Sequence, residues 1–223
     1  MVNKNIIRFE FTKKDGLKYI SHLDLQRAVA RIIKRSNIPI RYTEGFNPHP
    51  KMVFGLPLSV GCESECELLD VYIIMDEKRP GVPLYTPEEF KRDIKPNLPS
   101  GLGFVRAFYP EKSFTDIKSA KYKISVELND AQDICEDIRK ILALPMTVTK
   151  KSKSGPKEVD ISPMIFDYQV EQCEKNLSLY LELSAAQNEF LNPEYVMSGL
   201  KNNLTILNKI EYYTVLRSAI VFK

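Results

Sequence analysis

The chain's two histidines each sit in a segment dense with other reactive or ligand-binding groups. His49 lies in Glu44-Gly45-Phe46-Asn47-Pro48-His49-Pro50-Lys51. Two prolines fix φ, and glycine and asparagine favour turns, so this stretch is expected to be a stiff loop with a defined path. It presents Phe46, Asn47, His49 and Lys51, an aromatic ring beside hydrogen-bonding and charged groups. Ligand binding or catalysis is the functional expectation for such a loop; a rigid turn satisfying its own backbone is the alternative. His22 lies in Tyr19-Ile20-Ser21-His22-Leu23-Asp24-Leu25. Imidazole titrates near neutral pH, so two of them brought together could act as an acid/base pair. That needs the two segments to meet in space. Otherwise His22 bonds nearby backbone or water in the first turn of a helix.

Cations surround both segments. Arg27, Arg31 and Lys34 fall at i, i+4 and i+7, opposite an apolar stripe of Leu25, Val29 and Ile32. Arg35 and Arg41 extend them toward the loop. A solvated helix face is the ordinary meaning of such a stripe, but a nearly all-positive one beside a stiff loop points to phosphate. Tyr42 and Phe46 could then stack on bases, as in single-strand RNA recognition. Lys150 to Lys157 forms a second basic cluster, with Lys153 a candidate phosphate contact or a plain solvated residue. The charge is local. Residues 4–51 carry 11 basic and 4 acidic side chains, a net of +7, whereas the whole chain is only +3. A concentrated positive surface implies an anionic partner.

Other chemistries find little support. No secretory signal is expected from Met1 to Arg8, so Cys62, Cys66, Cys135 and Cys173 read as free thiols. Cys62-x3-Cys66 is at most half of a metal site, and no second pair accompanies it, so neither metal nor cofactor is expected. There is no P-loop, dinucleotide fingerprint, H-E-x-x-H or G-x-S-x-G. No stretch approaches the ~18 consecutive apolar residues of a membrane span. A cytoplasmic location off the membrane is expected.

The elements that position these groups follow from the pattern. Ile6 to Thr12 alternates as a strand. Ser21 caps a helix to about Ser36, a short strand is expected at 39–42, and 43–51 is loop. Glu67 to Met75 reads as a strand. Thr86-Pro87-Glu88-Glu89 is a capping box opening a helix of about 87–94, and a strand lies at 103–109. The order is βαββαβ. The second half predicts a strand at 121–128, a helix at 131–143 capped by Asp130, and a strand at 146–150. Strands at 158–161, 165–172 and 177–184, a helix from Pro193 to about 202, and a strand in 210–221 complete it. The fold class is therefore α+β: two tandem ferredoxin-like halves with antiparallel sheets. Residues 1–112 form the first domain, with the basic motifs, and 113–223 the second.

Lys18-Tyr19-Ile20-Ser21-His22-Leu23-Asp24-Leu25-Gln26-Arg27, Gly45-Phe46-Asn47-Pro48-His49-Pro50-Lys51 and Pro57-Leu58-Ser59-Val60-Gly61 together resemble the radical-SAM-linked family, a bacterial domain of unknown function. The resemblance extends to Gly155 and Val159-Asp160-Ile161. There the family commonly continues with an arginine, where this chain has Ser162. It implies a radical SAM protein as partner, encoded nearby or fused. Leu69 stands where a third cluster cysteine would be, so the chain is expected to be the companion and not the radical enzyme. Together with the local basic surface and the stiff aromatic loop, this leads to the expectation of an RNA-binding or substrate-presenting accessory protein. The alternatives are an adaptor that docks on its partner without RNA, or a metal-independent RNA-processing enzyme using His22 and His49.

Overall fold

The computed structural model describes residues 4–79, 81–152, 155–208, 210 and 212–223. The chain divides into two compact units, Met1–Phe114 and Thr115–Lys223. Both are mixed α/β with antiparallel sheets.

The first unit runs β1 (Ile6–Lys13), α1 (His22–Arg35), β2 (Met52–Phe54), β3 (Cys62–Tyr72), α2 (Pro87–Ile94), β4 (Leu102–Phe108). Its strands lie in the order β2-β3-β1-β4. Ile7, Phe9 and Phe11 alternate along β1 onto one face and are at most 1 % exposed. Their register partners on β3 are Val71, Leu69 and Glu67. Onto this face α1 buries Leu25, Val29, Ile32 and Ile33, and α2 buries Phe90 and Ile94. Phe9 is the aromatic hub, 4.9 Å from Phe11, 5.5 Å from Phe90 and 5.6 Å from Phe104, between ring centroids. Burying such rings is the main favourable term in a core of this kind.

The helix starts are fixed by side chains. Ser21 Oγ accepts from the Asp24 amide at 3.2 Å and opens α1. Thr86 and Glu89 exchange bonds with each other's backbone in a full capping box at α2, with Pro87 in the first turn. The strand expected at 39–42 is not there. Pro39 has no amide to donate, and only single bridges form, Ile40 with Ile73 and Tyr42 with Pro50. The pairing strand is β2, on the far side of the loop. Strand β3 begins at Cys62, five residues before the apolar run that announced it.

On the other face of the sheet, β1 and β3 carry a paired charge. Arg8 and Asp70 are register partners. The guanidinium donates through Nε at 2.6 Å and Nη2 at 2.8 Å to the two carboxylate oxygens. The Phe114 ring covers Arg8 at 4.0 Å. Burial pushes the Asp70 carboxyl up, and Arg8 pushes it back down.

The second unit comprises β5 (Ile117–Glu127), α3 (Cys135–Leu142), β6 (Thr147–Ser152), β7 (Gly155–Asp160), β8 (Ile165–Cys173), β9 (Asn176–Ala186), β10 (Glu189–Phe190), α4 (Pro193–Asn203), α5 (Thr205–Asn208) and β11 (Tyr213–Phe222). Here the order is β8-β9-β5-β11, with β6 and β7 as a separate hairpin inserted after α3. Helix α3 starts later than the sequence suggests. Asp133, not Asp130, accepts the Cys135 amide, at 2.9 Å. Ser162 ties the hairpin's foot: its hydroxyl donates to the Leu144 carbonyl at 3.1 Å and accepts from the Met146 amide at 2.7 Å.

Candidate nucleic-acid interface

The 41–51 segment is a braced arm. The Arg41 amide donates to the Tyr72 carbonyl (2.7 Å), the Lys51 amide to Arg41 (2.8 Å) and the Tyr72 amide to Lys51 (3.1 Å). One step further out, Thr43 donates to the His49 carbonyl at 2.9 Å. The arm thus continues the β2–β3 ladder past the end of the sheet. Gly45 turns it at φ +127°, a conformation that L side chains rarely adopt. Thr43 Oγ1 accepts from the His49 amide at 3.1 Å, and His49 Nδ1 lies 3.1 Å from that hydroxyl and 3.2 Å from the Asn47 carbonyl. The Lys51 ammonium sits 4.7 Å over the Tyr72 ring. At the outer end Phe46 is 103 % exposed, and Tyr42 at the base is 48 % exposed. Arg41, Asn47 and His49 are also exposed.

Arg27, Arg31 and Lys34 lie on the exposed face of α1, as their spacing predicts. Arg27 meets Asp24 at 3.2 Å. Arg31, Lys34 and Arg35 line an open groove of about 540 Å³ with Ala28, Ile32 and Pro99. Arg35 reaches the Asn97 carbonyl at 3.4 Å. A second open groove is lined by Glu88, Lys91, Arg92, Lys95 and Pro96. Arg92 is held by Asp93, whose carboxyl it keeps down at about 2 with help from the Tyr85 hydroxyl. Arg31, Lys34 and Lys95 have no ion-pair partner among the described residues. The α2 cations are an addition to the expected set. Lys91-Arg92-Asp93-Ile94-Lys95 closes α2 with cations at its negative dipole end, so the run also has a local reason to exist. Lys153 lies outside the described residues.

The two histidines have separate partners. His22 opens α1 half-buried, with Nε2 2.9 Å from Gln26 Nε2 and its ring edge-on to Phe54 at 5.1 Å. His49 is exposed on the arm, bonded within it. Near His22 lies buried charge that the pattern did not reveal: Lys13 is 1 % exposed and Glu67 2 %. Lys13 Nζ donates to the Ile20 carbonyl, just before the helix, at 3.4 Å. Burial lowers the pKa of His22; the Glu67 carboxylate raises it and the Lys13 ammonium lowers it further. Lys13 reads in sequence as a turn residue and Glu67 as the first residue of an apolar run. Their register positions on adjacent core strands were the missing information. All four cysteines are free, and three are buried. No group of three metal-binding side chains occurs among the described residues.

These features define a mixed α/β protein with antiparallel sheets and a basic helical face. The chain belongs to the family described as uncharacterized protein conserved in bacteria (DUF2344), whose model matches residues 7–193. That span takes in α1, the arm and both grooves. No curated protein matches the chain. Among solved structures it is similar to a chain in the crystal structure of a Cbf5-Nop10-Gar1 complex, at 10% identity and a TM-score of 0.48. The match covers 99% of this chain and 50% of that one, so the chain spans half the length of its structural neighbour.

Proposed function

We propose that this protein binds RNA through the first unit and serves as a substrate-presenting companion of a radical SAM enzyme in the cytoplasm. The observation that carries the RNA reading is the cationic face. Among the described residues, Arg31, Lys34 and Lys95 are exposed without carboxylate partners, in the linings of two open grooves. Phosphates are the commonest ligands of such a surface. The partnership rests on the motifs of α1, the arm and Pro57 to Gly61, which resemble the radical-SAM-linked family. No helix among the described residues is long and apolar enough to cross a membrane. The architecture fits two ferredoxin-like halves. In the first unit β1 lies between β3 and β4 with β2 beside β3, and in the second, the β6–β7 hairpin and β10 set aside, β5 lies between β9 and β11 with β8 beside β9, the order that two interleaved βαβ crossovers produce.

The test is binding of purified protein to bulk cellular RNA across a salt series. Affinity should fall steeply with salt and be lost in Arg27→Ala/Arg31→Ala/Lys51→Ala. Absence of binding at low salt would leave an adaptor that docks through the same surface, which charge reversal at Arg27 and Arg31 would release from its partner.

One observation favours a second reading, a metal-independent RNA-processing enzyme. His22 lies in the field of a buried carboxylate and a buried ammonium, surroundings that tune catalytic groups elsewhere. RNA cleaved in EDTA by the wild type and left intact by His22→Ala would establish it.

A further inference from the structure

We infer that Phe46 is a stacking finger for an unpaired nucleobase, an inference that rests on the RNA-binding reading above. The ring is 103 % exposed, yet the chain beneath it is not slack. Four backbone bonds tie the arm to Tyr72 and to itself, with lengths from 2.7 to 3.1 Å. The Thr43 hydroxyl, the His49 amide and Nδ1, and the Asn47 carbonyl bond inside the arm and brace it. The tip therefore holds the aromatic ring out to a partner, bare on both faces.

The surroundings select the ligand. Arg41 and Lys51 stand at the arm's base, and the segment has a single acid, Glu44. A flat apolar group flanked by phosphates complements that arrangement. An unpaired nucleotide is such a group, because every base has a free π-face once it leaves its stack. Bases inside a duplex already cover one another, and the deep, narrow major groove of A-form RNA shuts side chains out. The arm accordingly favours loops, bulges and ends over paired stems. Tyr42, half-exposed at the base, offers a second ring for the neighbouring nucleotide.

The chain contains no tryptophan, so Phe46→Trp would place the protein's sole indole at the tip. Titration with a single-stranded oligoribonucleotide should quench its fluorescence; a blunt-ended RNA duplex of equal length should not. Phe46→Ala should weaken single-strand binding by about 5- to 150-fold, the range of one lost base stack, while leaving duplex binding and thermal stability unchanged. If Phe46→Ala binds both RNAs like the wild type, or if the indole is not quenched by the single strand, the finger is refuted although RNA binding stands. If the wild type binds neither RNA, the underlying reading fails first. If Phe46→Ala keeps full RNA affinity but no longer co-purifies with a protein partner, the ring is a protein contact and the inference is overturned.

Discussion

The first unit keeps charge in two settings that obey opposite rules. Within and behind the sheet, charge is buried and matched: Arg8 grips both oxygens of Asp70 under a phenyl ring, and His22 lies in the fields of the buried Glu67 and Lys13. On the outer face of α1 and α2, charge is exposed and unmatched at Arg31, Lys34 and Lys95. A buried charge without a partner costs several kcal/mol, so the fold enforces its pairing. Exposed charge costs the fold almost nothing either way. Its sign and clustering are free to serve a partner. The difference separates residues that hold the protein up from those that face outward.

The sharpest way to break the comparison is Arg8→Met. It strands a buried carboxylate, and urea denaturation should show a loss of about 3–5 kcal/mol. The double variant Arg8→Met/Asp70→Leu should recover most of it. If the single variant is as stable as the wild type, the inner charges are not structural. Glu67→Gln comes next, with a loss of about 2–3 kcal/mol. Because the carboxylate raises the pKa of His22, NMR titration should also show that imidazole titrating at still lower pH in the variant.

The pH dependence follows from the same cluster. His22 titrates lower when folded than when unfolded, so the unfolded chain takes up the proton first. Its contribution to stability is present above the unfolded value of about 6.5 and is lost as pH falls toward the folded one. Melting temperature should drop through that window, and His22→Gln should flatten the drop. The smallest expected change in stability is on the outside. Arg31→Glu/Lys34→Glu should stay within about 0.5 kcal/mol of wild type per site while weakening RNA binding.

Much of this division is legible in the residues. Ser21, Thr86 and Glu89 announce the starts of α1 and α2 because capping is local. The 3.6-residue period of Leu25, Val29 and Ile32 separates the inner face of α1 from the cationic one. The stiffness of the arm is written in Gly45, Pro48 and Pro50. Illegible were the facts that depend on pairing between distant strands. Glu67 looks like the polar edge of an apolar run until its register with Phe11 turns it inward. Strand β3 begins in Cys62-Glu63-Ser64-Glu65-Cys66, where alternate residues are buried, but small and acidic side chains gave the alternation no hydrophobic signature. Pro39 and Ile40 looked like strand because single bridges do form there. A regular strand nevertheless starts only at Met52, after the arm.

The central claim is that the outer cations are there for RNA phosphates. It is tested most directly by the slope of log affinity against log salt for single-stranded RNA, comparing wild type with Arg31→Ala/Lys34→Ala/Lys95→Ala. Three lost phosphate contacts should make the slope shallower by about two, with the melting temperature unchanged. An equal slope in the two proteins, or affinity flat with salt in the wild type, would contradict the account.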